Sequence, residues 1–313
     1  MPDLKETICG MALAAGFLRA RILSPFEPGL AAMAYREGGA PSAVLDNYRL
    51  GAPSLLVAAL PYGNQVDEGG DGGAPAGTGY IAPFARRNYY REAVKRLKGL
   101  AAELRGGDGK KRDFRVLCNS PAPEKPPAVQ SGLGVFGRNG LVITAEAGSL
   151  FVIAALTLPM PLESDGPDLR FNPCGGCDPE NPPCKRACPT GALRGDGTID
   201  LKRCIQWYAS GKEAGVPEAV ARQWGRRLYG CTACQDVCPH NRSPIPGVET
   251  AEGPLPAWLD CGELIAQSDG ELRARFKGTA LGLSWLGPAA IRRNAELVLR
   301  TNRRRVTFSG CLS

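Results

Sequence analysis

The sequence has a single histidine, His240, among 313 residues, and it has no apolar run long enough to cross a bilayer. Its first ten residues, MPDLKETICG, lack the charged and then apolar segments of a secretion leader. The expected compartment is therefore a reducing cytoplasm, and no membrane partner is expected. In that compartment the 12 cysteines are not expected to form disulfides, so another role, such as metal binding, is expected for them.

Seven of the cysteines lie in two short runs that complete each other. Cys174 opens CGGCDPENPPCKRACP, which has four cysteines, and Cys231 opens CTACQDVCP, which has three. In the bacterial pattern C-x2-C-x2-C-x3-C-P, three cysteines of one run bind one [4Fe-4S] cluster and the fourth binds the other. Cys204, in DLKRCIQWY between the runs, is the candidate for the missing ligand. The predicted ligand sets are Cys174, Cys177, Cys184 and Cys238 for cluster 1, and Cys188, Cys204, Cys231 and Cys234 for cluster 2.

Structural zinc is the alternative that the cysteine spacing leaves open. Two C-x2-C pairs can hold zinc, but zinc sites usually have four ligands and need no proline after the last cysteine of each run. The first run departs from the iron–sulfur pattern in the loop Asp178 to Pro183, which places six residues between its second and third cysteines. Because the C-x3-C-P ending is intact, the sequence favours two [4Fe-4S] clusters as cofactors.

The charge balance is only weak support for a nucleic-acid partner. The formal net charge is +7 with every cysteine counted as neutral, and it falls to about +3 when two clusters of about −2 each are included. The basic residues near the end of the chain fit a solvated helix face as well as a phosphate-binding surface. These residues are Arg292, Arg293, Arg300, Arg303, Arg304 and Arg305.

Apolar periodicity predicts alternating helices and strands over about the first 160 residues. Helical spacing predicts a helix from Leu4 that ends near Gly16, and a surface helix over Asn88 to Leu104. The glycine-rich segment Val66 to Gly79 is predicted to be a surface loop. Strands alternating with helices indicate an α/β domain. The predicted strands are Ser54 to Leu60, Phe114 to Cys118, Leu141 to Thr144 and Leu150 to Leu156.

The remainder of the chain is interpreted as a linker, a cluster domain and a helical end. Pro159 to Pro173 contains four prolines and is the predicted linker. A capping box begins at Ser268, and Pro288 is the predicted first residue of a helix running to about Thr301. The predicted fold class is α+β. Its parts are an α/β domain over 1–165, a ferredoxin-like domain with two [4Fe-4S] clusters over 166–248, and a helical C-terminal segment over 249–313 that packs back on the core.

The segment GLGVFG, from Gly132 to Gly137, matches the dinucleotide-binding pattern G-x-G-x-x-G. That pattern requires a strand before it and a helix opening from it, whereas here strand candidates follow it. A Rossmann site is therefore disfavoured. Two interpretations remain open, which are a tight turn and a stretch of backbone that lies close to a flat or bulky ligand.

The order of these features resembles the epoxyqueuosine reductase family, cobalamin-dependent iron–sulfur enzymes related to reductive dehalogenases. The resemblance covers nearly the whole chain and includes both cysteine runs. The other segments that carry it are LLVAALPYG from Leu55, ARRNYYREAVKRL from Ala85, Glu124-Lys125, GLGVFGRN from Gly132, LKRC from Leu201, LYGC from Leu228, and Arg293-Asn294-Ala295.

The resemblance implies how the predicted domains work. In that family the N-terminal α/β domain holds a base-off cobalamin over a ferredoxin-like domain, and the clusters deliver electrons to the cobalt. The substrate is an epoxide on a modified base in tRNA, which is reduced to an alkene. A flavodoxin or ferredoxin is then the expected electron donor, and we expect a monomer. The residues expected to lie against the corrin are Gly132, Leu133, Gly134, Val135, Phe136, Gly137, Arg138 and Asn139.

The chain departs from the family where the resemblance implies proton chemistry. The family's proposed proton donor is an aspartate in a V-D-S-A-P-like segment, and Asn119 takes its place in LCNSPAP. An amide cannot act as a general acid near neutral pH. The family's D-Y-H triplet is replaced by Asn88-Tyr89-Tyr90, so Tyr89, Tyr90 and Cys118 are the remaining candidate donors. For His240, which follows Cys238 and Pro239, a role in supporting the cluster is favoured over catalysis.

Four hypotheses on function follow from these residues. The first is a corrinoid iron–sulfur reductase whose substrate differs from epoxyqueuosine in tRNA or is handled differently. It follows from Asn119 in place of the acid, and from the lack of the helical-repeat module that ends many family members and is thought to help them bind tRNA. The second is an epoxyqueuosine reductase that uses another proton donor. The third is an electron-transfer protein that reduces a corrinoid on a partner. The fourth, which depends only on the terminal arginines, is a nucleic-acid-binding module with structural clusters.

Overall fold

The structure is a computed structural model that describes residues 3–24, 52–63, 75–105, 114–120, 123–245, 247–248, 253–282 and 285–309. It consists of two compact units. Unit 1 comprises Met1–Tyr62, Tyr89–Cys177 and Pro239–Val248, and unit 2 comprises Gly63–Asn88, Asp178–Cys238 and Glu249–Ser313. The units therefore alternate along the chain, whereas the predicted domains 1–165, 166–248 and 249–313 are continuous. The predicted division into three continuous domains stays a prediction.

The described elements combine short and long helices with strands. The strands are β1 (Arg19–Leu23), β2 (Ser54–Pro61), β3 (Thr78–Ile81), β4 (Val116–Leu117), β5 (Val135–Phe136), β6 (Val142–Ile143), β7 (Phe151–Leu158), β8 (Arg227–Tyr229) and β9 (Trp258–Asp260). The helices are α1 (Leu4–Ala14), α2 (Pro83–Arg86), α3 (Tyr89–Arg105), α4 (Lys125–Gln130), α5 (Pro183–Ala187), α6 (Ile205–Ala209), α7 (Glu218–Ala221), α8 (Ala233–Asp236), α9 (Cys261–Ala266), α10 (Asp269–Phe276) and α11 (Pro288–Ser309). None of the helices among the described residues is long and apolar enough to span a membrane.

Unit 1 is built on an antiparallel sheet with the order β1-β2-β7-β4. The central strand β2 pairs with β7 from Ser54 opposite Leu158 to Pro61 opposite Phe151. Its continuous apolar sequence is buried over its first seven residues, as expected for a strand that has neighbours on both edges and helices packed on the sheet. Helices α3 and α4 supply that packing, α3 on β7 and α4 on β1 and β2.

The segment predicted to be a linker lies along β1 in unit 1. The backbone N–H of Ile22 donates to Asp165 Oδ2 at 2.7 Å, and Lys5 Nζ lies 2.6 Å from Asp165 Oδ1. The N–H of Leu162 donates to Ser54 Oγ at 2.8 Å. Asp165 therefore satisfies a strand N–H and a helix lysine at once, and its own N–H donates to the carbonyl of Ile22 at 2.9 Å. These bonds hold the proline-rich segment beside the sheet.

Unit 2 has a small sheet in which β3 pairs in parallel with β8 and antiparallel with β9. Its hydrophobic core includes Trp224 and Phe276, whose side chains are almost fully buried. The helix α11 enters this core through Ile291, Ala295 and Val298, which lie on one face at helical spacing. The C-terminal helix is thus part of unit 2 and not an appendage to it.

Several predicted elements are confirmed with small differences in their bounds. α1, β2, α3 and β7 occur where periodicity and apolar runs place them. The capping box at Ser268 is present, with the Glu271 N–H donating to Ser268 Oγ and the Ser268 N–H donating to Glu271 Oε2. Pro288 is the first residue of α11, which runs to Ser309 and is longer than predicted.

Other predictions were wrong or incomplete. The loop predicted over Val66 to Gly79 ends in strand β3, which includes Thr78 and Gly79, while residues 66–74 lie outside the described residues. A Cβ at residue 79 would lie only 2.7 Å from Leu228 Cβ. Glycine at this position therefore permits β3 and β8 to lie side by side. Strand β5 lies inside the glycine loop and forms a hairpin with β6. Alternation of strands and helices does not reveal that the main sheet is antiparallel.

Candidate functional site

The cysteines of predicted cluster 2 all lie in unit 2, at or beside the ends of short elements. Cys188 is the C-cap of α5, Cys204 is the N-cap of α6, and Cys231 lies two residues beyond β8. Cys234 lies within α8, which packs against α5. Helices of four or five residues are not stable in isolation, so bonds to a shared metal centre would stabilise this part of the chain.

The sulfur atoms of these cysteines are close enough to affect one another's ionisation. Desolvation raises the pKa of Cys234 well above its ordinary value, and the charges of Cys231, Cys204, Cys184 and Cys188 raise it further. Desolvation also raises the pKa of Cys204 and outweighs hydrogen bonds from the backbone N–H groups of Trp207 and Gln206, with smaller contributions in the same direction from the charges of Cys231 and Cys188. Thiolates gathered in this way repel one another unless a cation lies among them, and iron ions of a cluster would supply that charge.

Cys188 differs from the others because hydrogen bonds stabilise its thiolate. The N–H of Ala192 donates to Cys188 Sγ at 3.2 Å, and Thr190 Oγ1 lies 3.7 Å from the same sulfur. Burial raises the pKa of the Cys188 thiol, but hydrogen bonds from Leu193, Thr190 and Ala192 outweigh burial and lower the pKa overall. Hydrogen bonds to ligand sulfurs are among the factors that set the reduction potential of a cluster.

The spacing of the ligands bears on the choice between zinc and iron–sulfur. Among the described residues, no three side chains of histidine, cysteine, aspartate or glutamate are grouped closely enough to hold a single metal ion. Zinc draws its four ligands to within about 2.3 Å of one ion, whereas the four irons of a cubane lie between the sulfurs and hold them farther apart. The intact C-x3-C-P ending at Cys188 is the feature that favours iron–sulfur over zinc here.

Two cysteines of predicted cluster 1 lie in unit 1. Cys177 donates its N–H to the carbonyl of Cys174 at 3.1 Å, which forms a tight turn. The N–H of Arg138 donates to Cys174 Sγ at 3.3 Å, so the glycine loop is hydrogen bonded to a predicted ligand. His240 bonds through Nε2 to the carbonyl of Pro173 at 2.7 Å, which supports the residue directly before Cys174. Of the other two cysteines in this set, Cys184 and Cys238 belong to unit 2.

The glycines of the loop are explained by the packing of unit 1. A Cβ on Gly132 would lie 2.5 Å from the carbonyl oxygen of Gly166, and one on Gly134 would lie 2.7 Å from that of Ile143. A Cβ on Gly137 would lie 2.5 Å from the Ile143 side chain. The glycines are therefore needed to close the hairpin of β5 and β6.

The remaining loop residues divide into buried and accessible side chains. Leu133 is fully buried in the core of unit 1, and Asn139 is buried with its Oδ1 accepting from the N–H of Leu141. Val135, Phe136 and Arg138 are half-buried, so they offer two apolar surfaces and one cation to a bound molecule. The accessible side chains of the loop are therefore these three, and the contact of Gly132 to Asn139 with a cofactor stays a prediction.

Asn119 follows β4 in a left-handed conformation with φ of +48°, the only positive φ of a non-glycine among the described residues. Asparagine tolerates this conformation better than most residues. The next residue, Ser120, donates its N–H to Glu124 Oε1 at 3.2 Å. A carboxylate therefore lies beside the turn at Asn119, although Asn119 itself has none.

The three alternative donors have different environments. Cys118 Sγ lies 3.6 Å from the carbonyl oxygen of Ile153 and 3.9 Å from that of Tyr90, so its thiol donates to backbone. Burial, followed by the charge of Glu124, raises the pKa of Cys118 to about 12. Tyr89 is buried and donates its hydroxyl to the carbonyl of Tyr62 at 3.2 Å, while Tyr90 is half-buried. A thiol with that pKa is too weak an acid for efficient proton transfer near neutral pH.

Replacing Glu124 with glutamine is expected to lower the pKa of Cys118 from about 12 toward, but not to, its ordinary value of 9.0. The substitution removes a negative charge that disfavours the thiolate, while burial, the larger cause, remains. The pH dependence of Cys118 alkylation, followed by peptide mass spectrometry on the cluster-loaded protein, measures this. Glu124→Asp keeps the charge and is the control. An unchanged or raised pKa in Glu124→Gln would contradict the assigned electrostatic contact.

Comparisons with known proteins are consistent with this site. Residues 173–241 match the family model described as a 4Fe-4S double cluster binding domain. The chain is 34% identical over 221 residues to the epoxyqueuosine reductase of Salmonella typhimurium, covering 68% of this chain and 56% of that protein. It is 34% identical over 206 residues to the enzyme of Pseudomonas aeruginosa, covering 64% and 55%. The matches thus span little more than half the length of these relatives.

Solved structures extend the similarity over most of the chain. The fold matches epoxyqueuosine reductase from Bacillus subtilis with a TM-score of 0.78 and 25% identity, covering 95% of this chain and 81% of that one. An epoxyqueuosine reductase solved with an epoxyqueuosine-modified tRNA stem loop matches with a TM-score of 0.76, 25% identity and the same coverage. With these likenesses in sequence and fold, and with a double [4Fe-4S] cluster domain at residues 173–241, the chain is a homologue of the epoxyqueuosine reductases.

Proposed function

We propose that this protein is a cobalamin-dependent iron–sulfur reductase in which two [4Fe-4S] clusters deliver electrons to a cobalamin bound by unit 1. The observation that carries the proposal is the hydrogen bond from the Arg138 N–H to Cys174 Sγ. It joins the loop proposed to hold the cofactor to a proposed ligand of cluster 1 within the same unit. An electron could pass from that ligand to the loop along a short path of covalent bonds and one hydrogen bond.

The proposed cluster ligands keep the sets predicted from the sequence. Support for cluster 2 comes from the mutual effect of its sulfurs on ionisation, which requires them to be near neighbours. Support for cluster 1 comes from the intact motif and from the turn at Cys174 and Cys177. The cluster 1 ligands are Cys174, Cys177, Cys184 and Cys238, and the cluster 2 ligands are Cys188, Cys204, Cys231 and Cys234. A flavodoxin or ferredoxin is the proposed electron donor.

Val135, Phe136 and Arg138 are the residues proposed to hold the cofactor. Their half-buried side chains combine apolar area for the macrocycle with a positive charge for its phosphate. Cobalamin, when bound, supplies two-electron reduction chemistry that no amino-acid side chain provides. The chain itself would contribute position, exclusion of water and the delivery of a proton.

The substrate is proposed to differ from epoxyqueuosine in tRNA, or to be protonated by a different group. Asn119 supports this because its amide has no ionisable proton near neutral pH. The raised pKa of Cys118 supports it further, since that thiol is a poor substitute. An oxidised substrate with a better leaving group than an epoxide oxygen would need less help from an acid.

The test of the cofactor proposal is an anaerobic reconstitution followed by iron counting and cobalamin titration. About eight irons per chain and one bound cobalamin, with a shifted cobalamin absorbance, are expected. The variant Phe136→Asp should weaken cobalamin binding without changing the iron count, because it places a charge on the proposed apolar contact. A fully iron-loaded protein with no affinity for added cobalamin would overturn the proposal.

A second candidate function is epoxyqueuosine reduction on tRNA with another donor, such as Tyr90. It is favoured by the fold match to a reductase bound to a modified tRNA stem loop, which covers 95% of this chain. Expression in a strain that lacks its own reductase separates the two candidates. Queuosine in the tRNA hydrolysate would establish the second candidate, whereas persistent epoxyqueuosine with both clusters loaded would favour the first.

A further inference from the structure

Asn294, on α11, makes contacts that reach two of the segments carrying ligands of cluster 2, those of Cys204 and Cys231. Its Nδ2 donates to the carbonyl oxygen of Ala209 at 3.0 Å and to that of Leu228 at 3.0 Å. Its Oδ1 accepts from the Arg293 guanidinium at 3.0 Å. The side chain is fully buried, so every one of these bonds is made without competition from water.

The two acceptors lie in segments that lead directly to cysteines. Ala209 is the last residue of α6, the helix for which Cys204 is the N-cap. Leu228 is the middle residue of β8, three residues before Cys231. Because a carboxamide has two N–H donors at a fixed separation, Asn294 sets the distance between the end of α6 and β8.

A second bond ties the same two segments on the side nearer the sulfurs. Gln206, in the first turn of α6, accepts through Oε1 from the N–H of Cys231 at 3.1 Å. The α6 segment and the β8 segment are therefore joined at both ends of α6. One bond is next to the cysteines, and the other is made through α11.

Arg293 reinforces the attachment of α6 to α11. Its guanidinium donates to the carbonyls of Tyr208 at 2.5 Å, Glu213 at 2.6 Å and Ala214 at 3.1 Å. These carbonyls lie at the end of α6 and in the turn after it, where helix carbonyls lack partners within the helix. Arg293 therefore caps α6 and leaves the Asn294 amide to bridge to β8.

From this geometry we infer that Asn294 is a positioning residue for the second iron–sulfur cluster, acting through the backbone that carries Cys204 and Cys231. The elements that hold these cysteines are too short to keep their own separation. Helix α11 is long and packed into the core of unit 2, so it serves as the rigid part against which they are held. The inference rests on the assignment of the cluster 2 ligands within the proposed function.

The test uses the full-length protein reconstituted with iron and sulfide under anaerobic conditions. Asn294→Asp keeps the size of the side chain, removes both donors and places a carboxylate against two carbonyl oxygens. We expect its iron content to fall about twofold, from about eight to about four per chain, with the electron paramagnetic resonance signal of cluster 1 retained. The spectrum of Cys188→Ser, which removes a cluster 2 ligand, provides the reference for a protein that holds cluster 1 alone.

The matched control is Val298→Ala, which removes buried volume from the same helix but no hydrogen bond to either cysteine segment. It should lower the unfolding temperature but keep about eight irons. Gln206→Leu, which removes the acceptor for the Cys231 N–H, tests the same arrangement if Asn294→Asp does not fold, and it should change the spectrum of cluster 2 alone. Wild-type iron content and spectra in both Asn294→Asp and Gln206→Leu would overturn the inference, as would equal iron loss in Val298→Ala.

The test separates this inference from the proposed function. If Cys188→Ser itself leaves all irons bound, the ligand assignment within the proposed function is wrong. If Cys188→Ser loses one cluster while Asn294→Asp and Gln206→Leu both keep wild-type iron content and spectra, the assignment stands and the positioning role fails.

Discussion

Replacing Asn119 with aspartate is expected to raise the rate of epoxyqueuosine reduction by about 10²- to 10⁴-fold, the usual contribution of a positioned general acid. Aspartate adopts the left-handed conformation found at Asn119, with φ of +48°, as readily as asparagine does. The backbone should therefore stay as it is while an ionisable proton is added. Conversion of epoxyqueuosine to queuosine in a tRNA stem loop, measured by mass spectrometry with both clusters loaded, is the assay.

Asn119→Gly is the matched control for this substitution. Glycine accepts a positive φ without strain but carries no proton, so it should remain at the level of the wild-type protein. The gain in Asn119→Asp should also decline as the pH rises above the pKa of the new carboxyl group, because only the protonated acid can donate. An equal gain in Asn119→Gly would assign the effect to the backbone. No gain in loaded Asn119→Asp would mean either that residue 119 does not face the reacting oxygen or that epoxyqueuosine in tRNA is not the substrate.

The sequence alone predicts those elements whose patterns are local. The apolar run of β2 and the helical spacing of α3 each reveal which face is buried, because one element supplies the whole pattern. The capping box at Ser268 is likewise complete within four residues. For the same reason the ligand sets could be proposed from spacing, since C-x2-C and C-x3-C-P are local patterns.

Features that depend on distant contacts were not predictable. The first two residues of β3, Thr78 and Gly79, fall within the predicted loop because residues 66–79 are rich in glycine. Glycine at residue 79 is explained by the side chain of Leu228, about 150 residues away in sequence. Strand β1 is not among the predicted strands, and its pairing with the distant strand β2 is what identifies it. Local patterns also cannot distinguish an antiparallel sheet from a parallel one when long connections separate the strands.

The same distinction applies to the candidate site. Gln206 is an isolated polar residue on a helix and in sequence looks like any solvated position. The only sequence signal at Asn294 is its place in Arg293-Asn294-Ala295, a segment shared with the reductase family. Their importance appears only when their partners, the carbonyls of Ala209 and Leu228 and the N–H of Cys231, are known. The only sequence signal that Glu124 belongs to the site is its place in a segment shared with the reductase family. Its hydrogen bond to Ser120 places a carboxylate beside the turn at Asn119.

Replacing Cys234 with serine is expected to remove cluster 2 and to halve the iron content, from about eight to about four per chain. Serine is a poor ligand for iron at this position, and three remaining thiolates would repel one another without the full charge of the cluster. Since metal binding is coupled to folding, the loss should also lower the unfolding temperature of unit 2 by about 5–10 °C, which corresponds to a few kcal/mol. Iron analysis and calorimetry of the anaerobically purified protein measure both effects.

Cys261→Ala is the control for this experiment because Cys261 lies in the same unit, is fully buried and is not among the proposed ligands. Burial and the charge of Asp260 raise the pKa of its thiol to about 12, so it has little tendency to bind a metal as a thiolate. The variant should lose some stability through its cavity and keep about eight irons. Full iron content in Cys234→Ser would show that another group completes the cluster. Iron loss in both variants would mean that the iron count reports on the stability of unit 2 and not on ligation.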